Sequence, residues 1–234
     1  MALTKKDRER WAHIEEIIAE NKAELKAATS HQPLKAFAER EGLMNKGDFP
    51  KFKHSLRKIG VHYDALRDEA MQAYNDELDA RAADIDDQAK GAPVVTVWTA
   101  AVEGDDGTAA FAVVDEEDTA IWYGRFFDDD RIRVAGDLVS AEQSAAEKAV
   151  WLAGKALARA DYPMGRVRIH TTCHELDVDA LRAAGVRSSV SVSVVVDPDD
   201  LRAVAMAEAP GFQRWQDADL LGLVDDGVGE DGAE

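Results

Sequence analysis

The chain has 234 residues, 46% hydrophobic and 32% charged, with a formal net charge of −18 and a single cysteine. That apolar content is enough for a packed core, but no run reaches the ~18 uninterrupted apolar residues of a membrane span, and the charged start is unlike a secretory leader. Cys173 alone excludes an internal disulfide framework and fits a reducing, cytoplasmic setting.

Most of the acidity lies beyond residue 92. An anionic surface repels phosphate backbones, so contact with nucleic acid is expected in the first half if anywhere.

In chain order, residues 4–28 read as one amphipathic helix, with Trp11, Ile14, Ile18 and Leu25 at helical spacing on one side. Residues 33–41 form a short helix carrying Leu34, Phe37 and Ala38, closed by Gly42. Asp48 is an N-cap for a second short helix that ends at Gly60. Between His31 and His62 stand seven basic residues against three acidic ones. Lys46, Lys51, Lys53, Arg57 and Lys58 lie in or just before the second short helix, whose face could rest on phosphates or enter a major groove. A solvated bundle face is the plainer reading of the same charges. Residues 63–89 read as a long helix with Leu66, Ala70, Tyr74 and Leu78 along one stripe, and residues 84–93 as a linker.

Three apolar runs follow, 94–102, 109–114 and 120–127, joined by turns as in an antiparallel meander. An alanine-rich helix over 140–160 and a strand over 166–172 then make a parallel crossover. Next come a helix over 178–184 ended by Gly185, a strand over 189–196, a helix over 201–208 and a last helix within 212–223. Neither phosphate-cradling glycine pattern occurs. His170, Cys173 and His174 cluster, but no further ligands complete a zinc site, so no metal and no cofactor are assigned.

The order β-β-β-α-β-α-β-α over roughly residues 94–222 resembles the ribonuclease H fold. Val95-Thr96-Val97-Trp98-Thr99 is similar to its first strand, residues 140–152 to the helix bearing its catalytic glutamate, and Arg168-Ile169-His170-Thr171-Thr172 to its fourth strand. Gln213 to Leu220 is similar to its closing acidic segment. Residues 33–60 resemble, more weakly, a helix-turn-helix domain with a lengthened turn. The resemblance implies a two-metal nuclease, which needs several carboxylates converging on Mg²⁺. Here Ala100 and Thr172 stand where the first- and fourth-strand aspartates would be.

The expectation is therefore an α+β chain of two domains. Residues 1–90 form a helical, helix-turn-helix-like domain. Residues 91–224 form a ribonuclease-H-like α/β domain with a mixed five-stranded sheet, and 225–234 a disordered acidic tail. The expected function is that of a non-catalytic accessory protein. It would contact DNA through Lys46, Lys51, Lys53, Arg57 and Lys58, and bind a protein partner or another copy of itself through the acidic domain. One alternative is a Mg²⁺-dependent nuclease with shifted carboxylates, Glu103, Asp105, Glu147, Glu175 and Asp219. The other is a protein-interaction scaffold that binds no nucleic acid.

Overall fold

The computed structural model describes residues 4–104 and 107–226. The chain divides into two compact units, Met1–Glu77 and Leu78–Glu234.

In the first unit, the Thr4 side chain accepts a hydrogen bond from Asp7 N (3.1 Å) and starts α1, Lys5–Glu20. The single helix expected over 4–28 is broken at Asn21. There the side-chain amide donates to Ile17 O (2.9 Å), competing with the helical ladder, and α2 (Lys22–Lys26) restarts beyond it. Helix α3 is His31–Arg40 and α4 is Phe49–Lys58. The turn between them includes Gly42 at φ +65°, a conformation glycine adopts without strain. Ile14, Ile18, Leu25, Leu34, Phe37 and Phe52 are among the side chains that bury the helix faces together. Helix α5, Tyr63–Gln88, begins here and runs through the division between the units.

The second unit takes the last turns of α5. Asp86 accepts hydrogen bonds from Arg182 (2.6 Å) and Ser191 (2.6 Å), and Ala82 and Ala89 are buried. Then come β1 (Val94–Glu103), β2 (Ala109–Val114), β3 (Ala120–Arg125), α6 (Leu138–Arg159), β4 (Gly165–Thr171), α7 (Val178–Ser188), β5 (Val190–Val196) and α8 (Arg202–Ala207). A single 3-10 turn, Trp215–Asp217, precedes β6, Val224–Asp225. The sheet is mixed and its main path is β3-β2-β1-β4-β5. Strand β2 runs antiparallel to β1 and β3, while β4 is parallel to both β1 and β5.

Alternation along the strands decides which helix covers which residue. Val95, Val97, Val167 and Ile169 point to α6 and α7, joining Ala146, Val150 and Leu181 in the main core. Trp98, Ala100 and Val114 point the other way, against Ala203 of α8. The α8 side is fastened by a sandwich: Arg202 lies 4.3 Å over the Trp98 ring, and His170 stacks on Trp98 at 4.4 Å. Trp98 also donates its indole N–H to Asp200 (2.8 Å).

Three expectations for the second unit need correction. Gly185 does not end α7; it lets the helix approach β5, because a Cβ there would stand 2.4 Å from Val190 O. The helix ends instead at Ser189, in the left-handed conformation at φ 55°. Residues 212–223 do not form a helix, since Asp219 accepts from the N–H groups of Leu221 (3.1 Å) and Gly222 (3.3 Å) and folds the segment into turns. Beyond it, β6 pairs antiparallel with Val94 and Val95, a sixth strand that takes Asp225 out of the expected tail. From Gly227 that tail lies outside the described residues.

Candidate functional site

Parallel pairing of β1 and β4 sets Thr99 beside Thr171 at the end of the ladder, both buried. Thr171 Oγ1 accepts from Cys173 N (3.1 Å), turning the chain off β4, while Thr99 Oγ1 is buried with no hydrogen-bond partner. Ala100 belongs to the opposite, α8-facing side of the sheet, so at this end Thr99 and Ala101, like Val95 and Val97 before them, face α6.

Glu142, in the second turn of α6, is buried at this same place. Desolvation raises its carboxyl to about 7, partly opposed by the Ala101 N–H, and Oε2 has no partner. Beside it, Gln143 exchanges two hydrogen bonds with the backbone of Asp177 (2.9 and 3.3 Å) and locks α6 to the start of α7. Burial also pushes the Cys173 thiol up, and the nearby Glu142 adds to that shift. A protonated, half-buried thiol is a poor nucleophile.

The other carboxylates of the shifted set are dispersed. Five residues beyond Glu142, Glu147 lies on a different face of α6 and meets Arg187 of α7 at 3.5 Å; burial raises its carboxyl as well. Glu103 accepts from Gly136 N (3.1 Å) and lies 4.0 Å from Arg133. Glu175 is exposed after β4, and Asp219 is occupied in its own turn. Asp105 lies outside the described residues. Among the described residues, no three His, Cys, Asp or Glu side chains come together so as to hold a metal ion. The donors present do not fit a Mg²⁺ pair.

A largely buried triad between α6 and the preceding loop escaped the sequence reading. Ser144 donates to Asp130 (3.0 Å), and Lys148 donates to both Asp130 (2.5 Å) and Ser144 (2.7 Å). Burial alone would raise Asp130. The Arg133 N–H, Lys148 and the Ile132 N–H outweigh it and bring the carboxyl to about 2. Ser144 and Lys148 are one helical turn apart, the spacing of a serine–lysine base pair. But Ser144 is fully buried and Lys148 is ion-paired with Asp130, so the triad pins the 128–137 loop to α6. The i, i+4 spacing was visible in the sequence; its partner Asp130, in a distant loop, was not.

In the first unit, α4 presents the basic residues, and four of the five are met by acids from within that unit. Lys53 and Arg57 both bond Asp64 at the start of α5 (2.7 and 2.8 Å). Lys58 bonds Glu15 of α1 (2.5 Å), and Lys51 lies 3.7 Å from Asp7 and 3.8 Å from Asp48. Their hydrogen bonds hold Asp64 and Glu15 below the ordinary carboxylate range, hydrogen bonding to Lys53 and Lys58 respectively being the largest influence. Lys46, in the turn before α4, is exposed. Asp48 precedes α4 but makes no side-chain cap to it. Its carboxylate instead accepts two hydrogen bonds from Arg10 of α1 (2.9 and 3.0 Å) and one from Asn45 (2.9 Å). Arg57 and Lys58 keep 54% of their side-chain surface exposed despite their pairs.

No helix among the described residues is long and apolar enough to cross a membrane. Compared with family models, with curated proteins and with solved structures, the chain matches none.

Proposed function

We propose that this chain is a non-catalytic, nucleic-acid-associated accessory protein. Its second unit would be a ribonuclease-H-like α/β platform without metal-binding carboxylates, and its first unit would contact duplex DNA through α4. The observation that carries the non-catalytic half is the pair Thr99 and Thr171: at the end of the β1–β4 ladder, on the side covered by α6, hydroxyls stand where a two-metal nuclease needs carboxylates. The ribonuclease-H-like half is supported by the element order β-β-β-α-β-α-β-α on one mixed sheet.

For DNA contact, the support is the exposure of Arg57 and Lys58 at the C-terminal end of α4 and of Lys46 in the turn before its N-terminus, with α3 and α4 consecutive short helices joined over 41–48 by a turn longer than that of a helix-turn-helix. Ion pairs at such exposed sites contribute only about 0–1 kcal/mol, so phosphates can replace Asp64 and Glu15 as partners. Lys51 and Lys53, more deeply set, hold the bundle together. The internal pairing of four bases favours a second reading, in which the chain is a protein-interaction scaffold and α4 is a structural face.

Fluorescence-anisotropy titration with duplex DNA, an RNA–DNA hybrid and single strands, in Mg²⁺ and at two salt concentrations, separates these readings. Denaturing gels of the recovered samples report cleavage. Salt-sensitive duplex binding without cleavage, lost in Lys46→Glu/Arg57→Glu/Lys58→Glu, is the expected result. Cleavage that disappears with Glu147→Ala would restore the nuclease, and absence of binding to every probe would leave the scaffold.

A further inference from the structure

In the second unit a cleft of about 410 Å³ is lined by β3, the 128–137 loop, α6 and the last turns of α7. Trp122 and Trp151, with ring centroids 6.0 Å apart, and Ile132 and Ala184 supply its apolar wall. Small-molecule sites are clefts of this size, with an apolar lining and a few fixed polar groups that orient the ligand. Here Glu147 of α6 and Arg187 of α7 are those groups.

Helical spacing sets up the arrangement. Glu147, Trp151 and Gly154 stand at i, i+4 and i+7, and so share a face of α6. Gly154 seats the end of α7, because a Cβ there would stand 2.9 Å from Ser188 Cβ and 3.0 Å from Ser188 O. The residue before Ser188 is Arg187, whose guanidinium is thereby brought to 3.5 Å from the Glu147 carboxylate.

The state of these charges indicates the ligand. The Glu147 side chain is only 18% exposed, and burial raises its carboxyl even though Gln143, Arg187 and Lys148 favour the ionised form. Arg187, 61% exposed, meets it through a long ion pair. The other cation of the cleft, Lys148, is committed to Asp130 and Ser144. What remains is one carboxylate and one guanidinium, loosely paired and on different helices. A singly charged ligand that engaged one of them would leave the other without its partner, which is costly where a charge is poorly solvated. A zwitterion leaves neither unpaired: an ammonium replaces Arg187 at Glu147, and a carboxylate takes the planar fork of Arg187. A ring carried by the same ligand packs against the two indoles, edge-on or offset.

We propose that this cleft binds a free aromatic α-amino acid, with Glu147 holding the ammonium, Arg187 the carboxylate, and Trp122 and Trp151 the ring. The site goes beyond the accessory reading and does not depend on contact between α4 and DNA.

Isothermal titration calorimetry of the full chain with L-phenylalanine, phenethylamine and 3-phenylpropionate tests it. The three probes share a ring and differ in which charges they carry. The expected result is saturable binding of L-phenylalanine, about tenfold tighter than either singly charged analogue, as for the loss of one charge-assisted hydrogen bond. Glu147→Gln, nearly isosteric, should remove the advantage of L-phenylalanine over 3-phenylpropionate. Arg187→Ala, an exposed change, should remove its advantage over phenethylamine. An amine or acid that binds the parent chain as tightly as L-phenylalanine overturns the proposal. So do variants that weaken all three probes alike, or no saturable binding of L-phenylalanine up to millimolar concentration.

Discussion

Thr99 and Thr171 stand side by side on parallel strands, both buried, and Glu142, whose carboxyl accepts from the Ala101 N–H two residues beyond Thr99, is the buried carboxyl at this place, where a metal site would need a cluster of anions. Desolvation disfavours the ionised form of a lone buried carboxyl, which ties its titration to stability.

Stability should accordingly depend on Glu142 in a defined pH window. Its folded value of about 7 lies above the ordinary 4.5, so the folded state binds more protons than the unfolded chain between those values. Stability is then fully present below pH 4.5 and falls as pH rises toward 7, by up to about 3 kcal/mol at 1.36 kcal/mol per unit. Thermal melts across this range should show the slope in the parent chain, and Glu142→Gln should flatten it. Parallel curves for the two proteins would refute the assignment.

Asp130→Asn should unfasten the 128–137 loop, because Lys148 would remain at 18% side-chain exposure without its counter-charge. Breaking such a pair on one side costs about 3 kcal/mol, read as a lowered urea midpoint. The sign with pH is opposite to that of Glu142. The Asp130 carboxyl is depressed to about 2, so its contribution is held above pH 3.8 and lost as pH falls through 2.

Gly185→Ala separates packing from helix propensity. In an open helix the change would stabilise by about 1 kcal/mol. Here the new Cβ would sit 2.4 Å from a backbone carbonyl of β5, so α7 must shift, and destabilisation of about 1–3 kcal/mol is expected. Denaturant unfolding gives the sign directly.

Asp64→Asn releases Lys53 and Arg57 from their shared carboxylate. The first unit should lose about 1 kcal/mol, as for a partly exposed pair. If α4 binds DNA, the freed charges should strengthen duplex binding and steepen its salt dependence. Unchanged affinity would count against α4 as the binding element.

Much of the fold was legible from local pattern. Strand β2 falls on the expected 109–114 run, and β1, β4 and β5 lie within a residue or so of theirs, because the segments the core covers are apolar runs bounded by turn residues. Helices α6 and α8 were legible for the same reason, as was the order of elements. The breaks were less so. Asn21 and Asp219 redirect the chain through hydrogen bonds to its own backbone, and the same residue types sit in intact helices elsewhere. The basic run of α4 was visible as a list of charges, but its partners Asp7, Glu15 and Asp64 come from other helices.

By itself, then, the sequence determined most of the strands and helices, and the concentration of acid in the second half, because these depend on neighbours a few residues apart. Only the tertiary structure decided that Glu142 rather than Glu147 faces the strand ends, that Asp130 clasps Ser144 and Lys148, and that Phe212 lies across Gly124 with its ring in solvent. Those outcomes depend on helix rotation, strand register and which distant loop comes to rest where, and no local period encodes them.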